Sequence, residues 1–411
     1  MIMLNNLSKS RVYLAGICSL IVTVGVARFS YTPLLPIMQA ETGLTDAGGG
    51  WLATANYMGY MLGVLTAASM NSLHHKYLLH QLYLILSVIT SIAMVFTTDI
   101  YLWSFFRLVA GICASGGMII ASGLILKWLV MNKYRGELGV HFAGIGISII
   151  FTALIVEGLL MLSADWEQQW LFFAGVAAVF AVPAWLWIPH PKADANGQAQ
   201  VIKDNPPSKT FSRIMLLAYF CAGYGYVVSA TFIVDIVEGF AALEGKGPLA
   251  FVVIGLGAMP AVIFWDRVAR KVGYLKALIG TYGLQIFGIM VPAFSDSLVF
   301  VLLSALIFGG TFVACVSLVL TMAGQFYPSN PAKFMGKMTL AYGTAQILAP
   351  VCTGYLAEAL GDYSLGLYIS AAVMVVGLVL ILCLVMLEKR ELSQLSEAAM
   401  ESNELEAPKP S

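Results

Sequence analysis

Apolar stretches of roughly 20 residues recur along this chain from residue 12 to residue 387, each long enough to cross about 30 Å of hydrocarbon as a helix. The pattern predicts spans near 12–37, 49–70, 77–97, 101–128, 138–161 and 169–188, then near 211–236, 248–265, 275–294, 298–325, 335–357 and 364–387. Helices are the spanning element, because backbone in lipid must satisfy its own hydrogen bonds and open strands cannot. The longest polar break, 190–210, contains Pro191, Asn196, Gly197, Asp204, Pro206 and Pro207 and reads as a linker. It separates an N-terminal six-helix bundle, 1–189, from a C-terminal one, 211–387. The charged, acidic tail, 388–411, is expected to be disordered.

An internal repeat supports the two halves. At a spacing of 197 residues Tyr77 matches Tyr274, Leu78 matches Leu275, Asp99 matches Asp296, Gly139 matches Gly336 and Gly146 matches Gly343. Parallel halves related by an axis along the membrane normal are a transporter architecture, with the substrate path between them.

Composition agrees with lipid as the solvent. Of 411 residues 59% are hydrophobic and 11% charged, against roughly 25% charged in soluble domains. The net charge of zero gives no footprint for nucleic acid. Charge placement sets the orientation. Of the 22 Lys and Arg, all but Arg28, Arg107 and Lys246 fall at one end of the spans, whereas Glu41, Asp46, Asp99, Asp165, Glu167, Glu244, Asp296 and Asp362 lie at the other. The positive-inside rule then predicts cytoplasmic N- and C-termini. The six cysteines lie in apolar runs without CxxC spacing and read as reduced packing residues. The first apolar run continues past Arg28 without a small-residue cleavage site, so it reads as a retained helix rather than a signal peptide.

The segment Trp265-Asp266-Arg267-Val268-Ala269-Arg270-Lys271-Val272-Gly273 resembles the loop signature of the major facilitator superfamily: an acidic, a basic and a small residue, then two basic ones. An Asp capping a helix end beside Arg267, Arg270 and Lys271 would make a charged cytoplasmic latch between neighbouring helices; a plain positive-inside loop is the simpler alternative. The matching loop of the first half, from Asn71 to Lys76, lacks the acidic residue. Arg107 to Gly111 resembles the superfamily's fourth-helix pattern of a buried Arg followed by Gly. With the runs Gly25 to Met38, Phe308 to Phe312 and Ala341 to Pro350, the chain is similar to the YbfB/YjiJ-type branch of bacterial major facilitator transporters over nearly its whole length. The resemblance implies a twelve-helix major facilitator fold in a bacterial-type inner membrane and transport of a small solute.

Arg28 and Arg107 are the informative charges, since a charge near mid-helix costs at least about 2.5 kcal/mol by insertion scales and normally faces a cavity, a partner or a ligand. Glu157 and Asp235 approach the same outer level. The expectation is a cluster of two Arg with one or two carboxylates that holds an anionic group or couples to protons; a purely structural pairing with Glu157 and backbone is the alternative. Tyr31, Asn56, Tyr60, Tyr224, Tyr226, Gln285, Tyr342 and Gln346 could line the path, and His141, at the start of the fifth span, reads as solvated. No GxxxxGK[ST] loop, HExxH or ATPase-sized soluble segment occurs. The reading is a monomeric, proton-coupled secondary transporter without a cofactor, leaning to an anionic or polar solute. Antiport efflux of amphipathic compounds is the close alternative, and a receptor on a transporter fold a more distant one.

Overall fold

The computed structural model describes residues 7–70, 72–134, 138–190, 204–327 and 331–406, with side chains for all of these except 331–333, 392 and 395–406. Most of the expected linker, 191–203, lies outside the described residues. The described chain is helical, without a strand. Helix α1 runs Lys9–Thr42, π-helical over Ile21–Phe29. It is followed by α2 (Asp46–Ser69), α3 (Leu73–Ala93), α4 (Ile100–Met131), α5 (Gly139–Met161) and α6 (Trp166–Trp187). The second set is α7 (Lys209–Glu238), α8 (Gly247–Val272), α9 (Tyr274–Met290), α10 (Leu298–Phe326), α11 (Pro331–Leu360) and α12 (Ser364–Glu406).

Helix starts are written locally. Thr45, Asp99 and Ser208 accept the orphan N–H groups of Gly48, of Tyr101 and Leu102, and of Phe211, and Asp165 forms a capping box with Gln168. The acidic residues behind the charge asymmetry are thus partly caps. Side chains such as Phe105, Val179, Phe300 and Val376 are more than half exposed, an apolar belt of the kind that membrane proteins present to lipid. Among the described residues, ten helices are long and apolar enough to cross a membrane; α2 and α11 fall outside that set. Their more polar faces meet each other instead: Thr54 donates to the Ile347 carbonyl at 2.9 Å, and Gly50 lies against the backbone of Pro350.

Packing repeats between the two sets. Helix α2 packs on α4 as α8 does on α10, and α3 on α6 as α9 on α12; across the sets, α2 meets α11 and α5 meets α8. Glycines make the closest crossings. A Cβ on Gly59 would strike the Leu108 backbone and one on Gly111 the Asn56 backbone; 198 residues on, Gly257 faces Leu306 and Gly309 faces Ile254 in the same way. Such small-residue contacts let helices associate in lipid, where hydrophobicity gives no drive. The same 198-residue spacing joins Arg28 to Tyr226 and Thr32 to Ala230 by hydrogen bonds. These α1–α7 contacts between equivalent positions are what a two-fold axis running between the two helices produces.

Helix α12 continues to Glu406, through most of the tail expected to be disordered, and 407–411 lie outside the described residues. Two expectations are corrected. The segment 265–272 is the last two turns of α8, and the turn is confined to Gly273 at φ +92°. His141 is fully buried, its Nε2 3.0 Å from Ser122 Oγ, because it points at α1, where Gly16 leaves room. Its counterpart His80 is equally buried, 2.8 Å from Ser19 Oγ.

Candidate functional site

A cavity of about 500 Å³ lies between the two sets of helices. Its walls come from α1, α2, α4 and α5 on one side and α7, α8, α10 and α11 on the other, while α3, α6, α9 and α12 stand outside it. It runs from Arg28 and Tyr226 to Leu138, Gly324 and Met335, at the helix ends that carry the Lys and Arg.

Arg28 sits at the closed end, 9% exposed, in the last turn of the π-helical segment. Its Nη2 donates to Tyr226 Oη at 2.8 Å, and the guanidinium lies 4.7 Å from the Tyr60 ring centroid and 4.8 Å from that of Tyr57. Aromatic faces stabilise a desolvated cation, but Nε has no partner, and no carboxylate is within ion-pair distance among the described residues. Arg107 is also buried yet lines a separate gap of about 10 Å³ beyond Arg28, roughly the room one water needs. Its Nη1 donates to the Ala27 carbonyl at 3.2 Å, and its guanidinium lies 4.4 Å from the Tyr31 ring centroid. Asn56 Nδ2 donates to the Arg107 and Ala27 carbonyls at 2.9 and 3.3 Å. Arg107, Tyr31 and Asn56 therefore tie α1, α2 and α4 together.

The expected cluster of two Arg with carboxylates does not assemble. Glu157, partly exposed on α5, reaches neither Arg, and Asp235 is engaged at the acidic end, where the Tyr363 hydroxyl bonds it and also donates to Asp46 Oδ1 at 3.0 Å. Burial first, and then the two carboxylates, push the Tyr363 hydroxyl up, so it remains a donor. Of the other candidates, Tyr60, Tyr226, Tyr342 and Gln346 line the cavity; Tyr224 packs partly exposed against the core, and Gln285 is buried in α9. Asp266 pairs with Arg270 on its own helix rather than capping an end, and Arg267 and Lys271 flank them.

Sequence reasoning missed Tyr57, Tyr219 and Phe312. Tyr219 and Tyr342 have centroids 4.6 Å apart, Tyr226 and Phe312 4.9 Å at 22°, so α7, α10 and α11 present a stacked aromatic wall. A signal existed: Tyr57 and Tyr60, and Tyr219 and Tyr226, recur at spacings of three and seven on one helix face.

At the acidic end the two sets meet directly. Thr32 donates to the Ala230 carbonyl at 2.8 Å, Tyr57 and Thr231 share a hydrogen bond of 3.3 Å, Trp51 Nε1 donates to Tyr355 at 3.1 Å, and Glu358 accepts from the Ala47 N–H at 3.1 Å.

The solved structures of the nucleoside transporter NupG share this fold. The D323A mutant superposes with a TM-score of 0.74 at 14% identity, covering 92% of this chain and all of that one, and a second NupG structure gives 0.69 at 12%, covering 92% and 98%. In sequence the chain is 22% identical, over 90% of its length and 92% of the relative's, to a Cupriavidus necator protein described as "Probable sulfoacetate transporter SauU". Family-level similarity spans residues 20–382, which match the model described as "Uncharacterised MFS-type transporter YbfB". The chain therefore belongs to the YbfB-type family of major facilitator transporters, multi-pass membrane proteins that carry small molecules rather than catalyse their conversion.

Proposed function

We propose that the protein is a secondary active transporter of an anionic or polar organic solute. It works by alternating access as a proton-coupled monomer with twelve spans and cytoplasmic termini in a bacterial-type inner membrane. The observation that carries this reading is the central cavity, which holds the buried Arg28, runs towards the Lys/Arg-bearing ends, and is shut at the acidic end by the contacts between the two helix sets. With those Lys and Arg inside, this is an inward-facing arrangement, and rocking of residues 1–189 against 211–387 would expose Arg28 to the other side. Antiport efflux of amphipathic compounds is the second reading, favoured by the Phe142, Phe312, Met118 and Met335 side chains in the cavity wall.

The test is solute-evoked proton flux in proteoliposomes with a trapped pH dye, screened over organic acids, amino acids, sugars and cationic drugs. Flux with one solute class is expected. Silence across the screen, alongside ligand-induced thermal stabilisation, would replace transport by a receptor role.

Tyr363 is the outer latch in this scheme. Tyr363→Phe removes the hydroxyl that bridges Asp46 and Asp235, leaving Gln39 Nε2, 2.7 Å from Asp46 Oδ1, as the remaining donor there. Losing hydrogen bonds to charged groups costs about 1.5–3 kcal/mol, so the population open at the acidic end is expected to rise at least about tenfold. Spin labels at positions 167 and 296, both exposed at that end, would report it as a longer distance; an unchanged distribution would remove Tyr363 from the gate.

A further inference from the structure

Among the described residues lining the cavity, Arg28 is the one charged side chain. Its guanidinium donates to Tyr226 and lies against Tyr57 and Tyr60, and it carries five N–H donors in a fork that fits a carboxylate or sulfonate. A buried cation without a carboxylate partner carries a desolvation cost of several kcal/mol, which an anion entering from outside the chain would offset. One cation completes one anionic group. Arg107 does not supply a second cation to the cavity, because it is absent from the cavity lining, shares with Arg28 only a gap of about 10 Å³, and has its guanidinium held by the Ala27 carbonyl and the Tyr31 ring. A second anionic group on the solute would therefore face apolar side chains and neutral hydroxyls, and its desolvation would go unrepaid.

The opposite wall specifies the remainder of the molecule. Tyr219, Tyr342 and Phe312 line the cavity from α7, α11 and α10, and Tyr226 stacks on Phe312 and Tyr342 with interplanar angles of 22° and 25°. Parallel rings at one wall of a slot offer offset stacking to a flat guest. The cavity's roughly 500 Å³ exceeds what a two-carbon acid fills and lies within the range of organic ligand sites.

We propose that the cavity takes an organic monoanion with a flat apolar body, its carboxylate or sulfonate seated on Arg28 and Tyr60 and its body against Tyr219, Tyr342 and Phe312. This rests on the reading that the cavity is the transport site. The head is held by α1 and α2 and the body by α7, α10 and α11, so the solute bridges the two helix sets whose relative rocking would move it.

The experiment uses the full chain in proteoliposomes with four probes: phenylacetate, its neutral amide phenylacetamide, and the dianions malonate and sulfoacetate. Phenylacetate is expected to be taken up, and to bind at least about tenfold more tightly than phenylacetamide, the scale of one charge-assisted contact. Tyr342→Ala is expected to weaken phenylacetate about tenfold, with the folded state checked by thermal melting. Uptake of malonate or sulfoacetate without phenylacetate overturns the monoanion inference and leaves the transport reading standing. Equal binding of the amide overturns the role given to Arg28. Silence for all four probes overturns the inference, and it reaches the transport reading only when the wider solute screen is silent as well.

Discussion

Arg28→Gln is expected to lower solute uptake by about ten- to a hundredfold while the purified protein melts no lower than the parent. The transport loss follows from the chemistry at the closed end of the cavity. A hydrogen bond to a charged group contributes about 1.5–3 kcal/mol, and each 1.4 kcal/mol is a factor of ten. The amide of Gln offers neither the charge nor the fork. The stability side runs the other way. The parent buries a guanidinium with no carboxylate partner among the described residues, at a desolvation cost of several kcal/mol, offset in part by the rings of Tyr57 and Tyr60. Removing the charge removes cost and compensation together, so folding has little to lose. Uptake rate and melting temperature, measured on the same preparation, check both halves. Uptake at the parental rate from Arg28→Gln would reduce the residue to a tie between α1 and α7.

Gly111→Val is expected to leave almost no folded protein, and Gly309→Val to do the same in the other helix set. At Gly111 an added Cβ would collide with the Asn56 backbone, and at Gly309 with that of Ile254. No rotamer change can relieve these clashes, because the obstacles are main chain in helices. Overpacking of a dense interior costs about 1–3 kcal/mol where side chains can yield; here whole helices must separate, against a total stability of about 5–15 kcal/mol. Gly123→Ala and Gly158→Ala are the controls, since nothing lies within 4 Å of either added Cβ. The yield of monodisperse protein and its melting temperature are the readouts. A Gly111→Val protein that melts like the parent would mean that α2 and α4 can part freely.

Much of this was legible in one dimension because the bilayer is a severe filter. Hydrocarbon thickness sets the length of each apolar run, so each of the helices appears in the sequence, although α8 and α12 run on past their apolar runs to Val272 and Glu406. The repeat was legible from identities 197 apart, and the crossings show why it exists: Gly59, Gly111, Gly257 and Gly309 stand at backbone contacts where only a hydrogen fits. Arg28 was legible as a residue out of place in an apolar run, and it does line the cavity.

What surrounds each charge was not legible. A helix wheel gives the depth of a residue along the membrane normal but leaves rotation and partner open, and several groups share each depth. Counting residues along the spans places Glu157 and Asp235 near the level of the two Arg, yet neither pairs with them, and Asp235 instead shares Tyr363 with Asp46 at the acidic end. His141 reads as a helix-end histidine, but its burial depends on Gly16 of α1 making room. The sequence by itself determined the helical elements and the presence of buried charge, because those follow from local transfer into lipid. Only the tertiary structure decided that Arg28 faces the cavity while Arg107 braces α1, and that Tyr219, Tyr342 and Phe312 form its opposite wall. Those choices depend on how helices distant in the chain are rotated against one another, and packing contacts set that rotation.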